Sequence, residues 1–421
     1  MEQQTKALLS SLRVLDLTEG GSLLCGKVLG DLGADVIKIE RPGGGPSRNI
    51  GPFYHDIPDP EKSLFWFAYG ANKRGITLDI ETTDGKGIFK RLVKTADIVI
   101  ESFPPGYLSG LGLGYDTLSE VNPQVILTSI TPFGQTGPYK DYKGPDIVSM
   151  AMGGYMFLTG DPDRAPVRIS FPQADFNAAG EAVVGTMIAL YYRGTSGLGQ
   201  HVDAAAQVAM IRWLQNSVPF WVLHKVILKR EGPYMAGSSA VVPLRGVWRC
   251  KDGFVAFTIF GGAIAGKMMP PLLEWMEAEG MSDEGMQKLK RRQWAEFDMA
   301  CGDAEVFNLM QEKFAAFFLT HTKSELYEGS VKRNIMLAPV ATAKDHLEDK
   351  QLKARGYWVK LEHPELGTTL TYPGAFCKAS EISCSLRRRA PLIGEHNLEI
   401  YQQELGFPTE ELVALKQGGV I

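Results

Sequence analysis

The stretch RVLDLTEGGSLLCGKVLGDLGADVIKIE, residues 13–40, decides the fold class. Two short runs rich in aliphatic and β-branched residues, Arg13–Leu17 and Asp35–Glu40, flank LLCGKVLGDLGA, which has the spacing of a helix. Runs of two-residue and 3.6-residue periodicity in this order predict a strand, a helix and a second strand. Such a unit favours parallel strands joined by a crossover helix.

The same rhythm continues along the first half of the chain. ITLDI, Asp97–Ser102 and Val125–Thr131 read as further strands, with GKGIFKRLVKTA and a short helix near Tyr115–Val121 between them. Strands that alternate with helices of this length predict an α/β fold in which helices cover a Rossmann-like parallel sheet. We therefore expect a large sheet domain in this part of the chain.

The pattern changes after Gly180, where helical periodicity runs through EAVVGTMIALYYRG and again through HVDAAAQVAMIRWLQNSVPFWVLH. The segment Val242–Phe260 reads as a hairpin with its turn at Asp252 and Gly253. We therefore predict four parts: the first stretch of a large domain in residues 1–200, a helical linker in 201–235, a small α/β domain in 236–330, and a return to the large domain in 331–421.

Charge and composition exclude several classes of protein. The 44 basic and 48 acidic residues give a net charge of −4, so no overall positive field is available to attract nucleic acid or anionic lipid. The start of the chain has no secretory leader pattern, and no apolar run approaches the ~18 residues of a membrane span, which predicts a cytoplasmic protein. The five cysteines form no CxxC pair, so neither zinc nor disulfides are expected.

The common cofactor motifs are missing or incomplete. The glycine string GYLSGLGLGY lacks GxGxxG spacing, and the chain contains no GxxxxGKS loop, HExxH helix or GxSxG elbow. The seven histidines have no metal-ligand spacing. His396 in PLIGEHN is the best candidate for a special role, and a capping role explains it almost equally well. Nicotinamide, nucleoside triphosphate, zinc and serine-hydrolase chemistry therefore lack their usual markers.

Four phrases together are more specific: LGADVIKIERPGGGPSR, NKRGITLD, FGQTGPY and LIGEHN. In this order and spacing the chain resembles the class III CoA-transferase family (CaiB/BaiF, formyl-CoA transferase-like) from Leu12 to about Leu415. The resemblance implies a Rossmann-like domain built from both chain ends, a smaller α/β domain, and two subunits interlocked like chain links. It also implies acyl-CoA and a carboxylic acid as substrates, with no prosthetic group and no metal.

The resemblance gives Asp175 the role of catalytic nucleophile. In SFPQADFNAAGEAVVGTMIAL this aspartate stands at the start of a strongly helical stretch, where helix amides can hold a carboxylate. An N-cap with no chemical role is the alternative, and the residues alone favour it because aspartate is a common cap. A carboxylate nucleophile attacks a thioester to form a mixed anhydride and then an aspartyl-CoA thioester, as the family mechanism runs.

Two other functions stay open beside the transferase. The racemase branch of the family carries GHD where this chain has Gly144, Pro145 and Asp146, and proline cannot transfer a proton. A second possibility is a structural subunit whose homologous partner carries the active site, because GPFYHDIPDPEKSLFWFAYGANKRGITLDIE looks like the subgroup of anaerobic aromatic degradation. Some enzymes of that subgroup, such as the benzylsuccinate CoA-transferases, pair two different subunits.

The resemblance also transfers CoA-binding roles, residue by residue. Arg41 matches an arginine beside the nucleotide part of CoA and Lys143 a lysine near its phosphates, both apt for phosphate. Asp146 matches an acidic residue close to the nucleophile. The remaining members of the expected CoA site are Asn72, Lys73, Arg74, Ser102 and Phe103.

Some positions depart from the family pattern. Gly110 replaces an arginine, Glu81 a basic residue of the formyl-CoA branch, and Gly21 the glutamine that orients substrate in that branch. The glycine-rich loop of the oxalate-specific enzymes appears as GSSAVVPLRG, Gly237–Gly246. These departures argue against formate or oxalate. We expect succinyl-CoA as donor and an aromatic- or alkyl-substituted dicarboxylate as acceptor. Aromatic surface for it is offered by Phe65, Trp66, Phe67, Tyr69, Trp213, Trp221 and Trp248, although aromatic residues at such spacings more often belong to a core.

Overall fold

The computed structural model describes residues 7–235, 242–300 and 303–421. The strands found there are β1 (Arg13–Leu17), β2 (Asp35–Glu40), β3 (Lys73–Thr77), β4 (Ile98–Glu101), β5 (Ile126–Thr131), β6 (His201–Ala205), β7 (Val247–Cys250), β8 (Gly253–Phe257), β9 (Leu337–Pro339), β10 (Trp358–His363) and β11 (Thr368–Pro373). The α-helices are α1 (Leu23–Asp31), α2 (Leu64–Gly70), α3 (Thr83–Val93), α4 (Tyr107–Gly110), α5 (Tyr115–Val121), α6 (Asp146–Met152), α7 (Ala174–Ser196), α8 (Ala206–Arg212), α9 (Ser217–His224), α10 (Gly262–Ala278), α11 (Glu284–Lys290), α12 (Ala304–Thr320), α13 (Lys323–Lys332), α14 (Ala343–Glu348), α15 (Lys350–Ala354) and α16 (Thr409–Gln417).

Six parallel strands form the main sheet, in the order β3-β2-β1-β4-β5-β6. This sheet confirms the predicted α/β fold. Its two halves extend in opposite directions from β1 and β4, because the chain goes from β1 outward to β3 and then returns to β4 beside β1. In sheets of this kind, ligands bind outside the carboxyl ends of the strands at such a topological switch point.

Both faces of the sheet are covered, which explains the nearly continuous apolar strands. Val14, Leu15, Ile37 and Val99 are completely buried. One face packs on apolar residues of α3, α5 and α16, and the end of the chain at Ile421 joins the same core. The sheet is therefore a rigid base for the loops at its carboxyl edge.

Internal contacts divide the chain into two compact units. The first contains Met1–Tyr155, Ile169–Pro219 and Lys350–Ile421, and the second contains Met156–Arg168 and Phe220–Asp349. These boundaries differ from those that the sequence pattern predicts. Residues 201–205 of the expected helical linker form β6, which pairs with β5, and residues beyond 331 include β9, which pairs with β8.

The second unit contains the antiparallel sheet β7-β8-β9 with helices α10 to α14. The hairpin between β7 and β8 turns at Lys251 and Asp252, one residue before the predicted Asp252 and Gly253, because Gly253 is the first residue of β8 and pairs with Cys250. Its core is rich in aromatic residues, among them Trp248 in T-shaped contact with Phe318 at 5.6 Å between ring centroids. Residues 237–241 of the loop Gly237–Gly246 lie outside the described residues.

The LIGEHN segment near the C-terminus pairs with the outer edge of β3. His396 Nδ1 accepts a hydrogen bond from the Gly75 amide at 3.1 Å, and the His396 amide donates to the Gly75 carbonyl at 2.9 Å. Asn397 Oδ1 accepts from the Thr77 amide at 2.9 Å, and the Tyr401 hydroxyl donates to the Thr77 carbonyl. These bonds satisfy backbone groups that an edge strand otherwise exposes. They give His396 a structural role.

Across residues 7–235, 242–300 and 303–421, none of the helices combines the length and the apolar character that a membrane span requires.

Candidate active site

Asp175 lies in the first turn of α7, one residue after the helix begins. The N-terminal end of α7 packs on the single 3₁₀ turn Gly20–Ser22, which follows β1. A Cβ atom added to Gly21 would lie only 2.7 Å from the Cβ atom of Asp175. This close approach places Asp175 at the carboxyl edge of the sheet, next to the switch point between β1 and β4.

The side chain of Asp146 caps the helix that carries Asp175. Asp146 Oδ1 accepts hydrogen bonds from the backbone amides of Gln173 at 2.6 Å and of Ala174 at 2.8 Å. Asp146 itself is the first residue of α6. The sequence suggests that Asp175 could use the helix amides, but Asp146 takes two of them. Asp146 thus fixes the first turn of α7 and places a second carboxylate near the first.

This arrangement changes the proton affinity of the candidate nucleophile. Burial, together with the negative charge of Asp146, raises the pKa of Asp175 from 3.8 to about 6. A carboxylate with a raised pKa is more basic and therefore a better nucleophile, and it is still ionised at neutral pH. Functional carboxylates in clefts often show this combination of burial and a like charge.

The turn beneath Asp175 is held by a polar network around the buried Lys38. The buried Lys38 ammonium contacts Glu19 at 3.3 Å, and Glu19 Oε2 accepts hydrogen bonds from the amide and the hydroxyl of Ser47. Ser47 Oγ in turn accepts from the Gly20 amide at 2.8 Å. Gly20 has a φ of +58°, a left-handed conformation that glycine adopts without strain. The network therefore fixes the backbone against which Asp175 packs.

A cavity of about 460 Å³ opens at the same edge of the sheet, beyond the ends of β1, β2 and β3. Its lining includes Leu17, Ile39, Leu78, Ile80, Arg41, Phe103 and Tyr107. The Arg41 guanidinium is exposed and forms an ion pair with Glu81, whose carboxylate also accepts a hydrogen bond from the Tyr107 hydroxyl at 2.6 Å. Glu81, one of the departures from the family pattern, thus binds the arginine that is expected to meet CoA.

The structure brings Ser102 and Phe103 to this region as well. Ser102 Oγ accepts a hydrogen bond from the Glu19 amide at 2.9 Å, and the Phe103 ring lies 4.5 Å from that of Tyr107. Lys143 is exposed and stands three residues before Asp146. Phe103 and Arg41 therefore share one cavity, whereas Ser102 supports the loop that contains Glu19.

The three residues of the NKR signature make internal contacts. Lys73 is fully buried and its ammonium donates to Asp16 at 2.7 Å, while Arg74 pairs with Asp35. Asn72 has a φ of +61°, and its side-chain amide binds two other segments. Those contacts are with Asp31 at 2.7 Å, with the Ser385 carbonyl at 2.8 Å and with the amides of Arg387 and Arg388. These contacts give the signature a role in folding.

The aromatic residues that the sequence offers as lining fall into three groups. Trp66, Phe67 and Trp248 are buried in the cores of their units. Trp213 and Trp221 are exposed. Phe65 and Tyr69 are half-buried and contact Phe176, the residue after Asp175.

Glu101 is a residue near the switch point that the sequence reading does not single out. It ends β4 and accepts a hydrogen bond from the Phe103 amide at 2.6 Å. Burial raises its pKa to about 7. The sequence could have indicated this position, because Glu101 stands near the end of the apolar run DIVIES and therefore at the carboxyl edge of a parallel sheet.

In the part of the chain that the structure describes, no group of three or more metal-binding side chains converges.

Comparisons with known proteins identify the family of the chain. The family model "CoA-transferase family III" matches residues 9–397. The chain is 36% identical to "Succinyl-CoA:(R)-benzylsuccinate CoA-transferase subunit BbsE" of Thauera aromatica over 98% of both chains. It is 31% identical to "Succinyl-CoA--D-citramalate CoA-transferase" of Chloroflexus aurantiacus, again over 98% of both.

A solved structure gives the same result. The fold matches that of a CaiB/BaiF family protein from Brucella suis with a TM-score of 0.79 and 29% identity, over 95% of this chain and all of that one. The resemblance seen in the sequence is thereby confirmed. The chain belongs to CoA-transferase family III and is a class III CoA-transferase, an enzyme that acts on CoA thioesters.

Proposed function

We propose that this enzyme transfers CoA from succinyl-CoA to a dicarboxylic acid with an aromatic substituent, with Asp175 as its covalent nucleophile. The observation that carries the proposal is the position of Asp175, a half-buried carboxylate of raised pKa at the switch point of the sheet. The names of the relatives, which use succinyl-CoA and in one case (R)-benzylsuccinate, support the choice of donor and acceptor.

The reaction proceeds in four exchanges. The Asp175 carboxylate attacks the thioester carbonyl, and CoA leaves as a thiolate while a mixed anhydride forms. The thiolate attacks the Asp175 carbonyl carbon and releases succinate, which leaves an aspartyl-CoA thioester. The acceptor carboxylate attacks this thioester, expels the thiolate and forms a second anhydride. The thiolate finally attacks the acyl carbon of the acceptor and regenerates Asp175. No net proton, electron or phosphate is consumed.

The residues near Asp175 fit defined roles in these steps. Asp146 keeps the first turn of α7 in place and keeps the nucleophile basic. In the cavity beyond β1 to β3, Arg41 and Phe103 would contact the nucleotide part of CoA, with Lys143 acting on its phosphates. No CoA contact is proposed for Asn72, Lys73 and Arg74, because their side chains are used in hydrogen bonds within the protein. Since Pro145 has no proton to transfer, we retain the transferase over the racemase.

We also propose a second subunit, either a copy of this chain or a homologue, interlocked with it. The support is an apolar outer surface on α7 and α8, where Ile188 is 63% exposed, Tyr191 81% and Val208 63%. Exposed patches of this kind mark subunit interfaces. The subunit named in the Thauera relative also supports a partner. If the purified chain alone turns over substrate, the reading in which it is only a structural partner is excluded.

Trapping of the covalent intermediate tests the proposal. The enzyme is incubated with succinyl-CoA and then with hydroxylamine, which converts an aspartyl thioester or anhydride into a hydroxamate. Mass spectrometry of the peptides should locate the hydroxamate on Asp175. The matched control is Asp84→Asn, because Asp84 is an exposed aspartate in the first turn of α3, and this variant should label as the parent does. Full turnover with an unmodified Asp175 would contradict the mechanism.

A further inference from the structure

Helix α2 presents aromatic rings on two sides. Trp66 and Phe67 are 1% and 5% exposed and belong to a core cluster that also contains Tyr372. Phe65 and Tyr69, four residues apart, occupy another side of the helix and are only half-buried. A helix at a protein surface usually has polar residues on the side away from the core. Phe65 and Tyr69 pack against the margin of that core cluster, and the part of each ring that stays exposed is open to a further contact.

Two phenylalanines from the α7 region complete a continuous aromatic surface. The Phe176 ring lies 4.7 Å from that of Tyr69 and 6.3 Å from that of Phe65. Phe171 stacks on Phe176 at 5.6 Å with only 5° between the ring planes, and it is 49% exposed. We call these four residues, Phe65, Tyr69, Phe171 and Phe176, the aromatic wall.

The aromatic wall begins next to the nucleophile. Phe176 directly follows Asp175, and its backbone nitrogen lies against the same glycine, Gly21, that touches the Cβ atom of Asp175. A Cβ atom on Gly21 would come within 3.3 Å of that nitrogen. Phe176 is thus next to the nucleophile in the chain, although consecutive side chains on a helix point in different directions. The exposed ring of Phe171 extends this apolar surface toward solvent.

We propose that the aromatic wall binds the aryl substituent of the acceptor and so determines which dicarboxylic acid receives CoA. This inference rests on the proposed function and adds the residues that carry its specificity. Aromatic rings attract one another in offset or edge-to-face geometry at centroid separations of about 4.5–7 Å, which is the spacing already present within the wall. A stacked or half-exposed ring can bind a further ring without rearrangement of the core.

The test compares two acceptors in the presence of succinyl-CoA. One is an aryl-substituted succinic acid and the other is methylsuccinic acid, which has the same two carboxylates. Phe171→Ala is the first variant, because an exposed side chain can be removed with little risk to folding. We expect its kcat/KM for the aryl acid to fall about tenfold, with the value for methylsuccinate within about twofold of the parent. Phe176→Leu should change the ratio in the same direction.

The matched control is Phe254→Ala, which removes a similarly exposed phenylalanine, 51% against 49%, from the second unit. It should leave both acceptors unchanged. An equal loss for the two acceptors in Phe171→Ala would overturn the inference, as would a parent enzyme that prefers methylsuccinate.

Binding of the two acids to the enzyme without donor, measured by calorimetry, provides a second readout that does not require turnover. Tighter binding of the aryl acid that is lost in Phe171→Ala supports the wall, and equal binding of both acids contradicts it. The proposed function fails separately, by the absence of a hydroxamate on Asp175.

Discussion

Replacement of Asp146 by asparagine separates its two effects on Asp175. The amide oxygen of the introduced asparagine would still accept hydrogen bonds from the amides of Gln173 and Ala174, so the first turn of α7 should stay in place. The negative charge near Asp175 disappears. The Asp146→Asn variant therefore changes the electrostatics of the nucleophile while its geometry is conserved.

The size of the effect follows from the causes of the raised pKa. Burial is the larger cause and the charge of Asp146 the smaller, and together they raise the pKa of Asp175 from 3.8 to about 6. Asp146 thus contributes less than half of the change, so its loss should lower the pKa of Asp175 by less than about one pH unit, equivalent to at most ~1.4 kcal/mol. Since only the ionised carboxylate attacks the thioester, the acid limb of the profile should move to lower pH by the same amount.

The assay is the pH profile of kcat/KM for succinyl-CoA, followed from about pH 4.5 to 8. Near pH 5 the variant should be faster than the parent, because more of its Asp175 is ionised. Near pH 8 it should be slower, because a less basic carboxylate is a weaker nucleophile. Asp84→Asn should retain the parent profile. An acid limb that stays in place or moves to higher pH would refute the electrostatic role of Asp146.

Three further predictions concern neighbouring contacts. Asp175→Asn should raise the free energy of unfolding by roughly 1–3 kcal/mol above pH 6, and this gain should vanish near pH 4. The reason is that the pKa of Asp175 is 3.8 in the unfolded chain and about 6 in the folded one, so the ionised carboxylate destabilises the fold only above pH 3.8. Chemical denaturation at several pH values measures the gain, and an equal gain at pH 4 would contradict the prediction. Gly21→Ala places a Cβ atom 2.7 Å from that of Asp175 and should lower kcat about 100-fold with a native circular dichroism spectrum; an active variant would show that this packing is not needed. Glu81→Gln removes the ion pair of Arg41 and should lower the KM for the CoA thioester roughly two- to fivefold, most clearly at low salt. Glu410→Gln on α16 is the control and should keep the KM of the parent. An unchanged KM in Glu81→Gln would argue against Arg41 as a phosphate contact.

The sequence pattern predicts the sheet well because its strands are buried on both faces. Arg13–Leu17 and Asp35–Glu40 have the predicted bounds, since apolar runs of that length between helices have few other solutions. Two strands are exceptions. The strand predicted at ITLDI begins three residues earlier, as β3 at Lys73–Thr77. The second exception is β6, where HVDAA is rich in alanine and lies at the edge of the sheet, beside a single neighbouring strand. Its small residues continue smoothly into the helical pattern of α8.

Site residues could be predicted from the sequence where a family motif and a local structural pattern occur together. They could not be predicted where their roles depend on contacts with residues far away in the sequence. Asp175 can be located because the family phrase and the helix start fall together. The roles of Asn72 and of Asp146 depend on partners 313 and 28 residues away, respectively, so spacing alone could not reveal them. The charge inversion at Glu81 is visible in the sequence, but its contact with Arg41 requires the fold.

The pairing of LIGEHN with the edge of β3 has a consequence for biosynthesis. Residues 13–205, which contain the whole parallel sheet, leave the ribosome well before His396, Asn397 and Tyr401 are made. Until then Gly75 and Thr77 present free backbone groups, a template on which a nascent chain can pair with its neighbours on the same polysome. The last tenth of the polypeptide thus covers an edge of the sheet that the first fifth forms, and a chain that ends before residue 396 would leave this edge exposed.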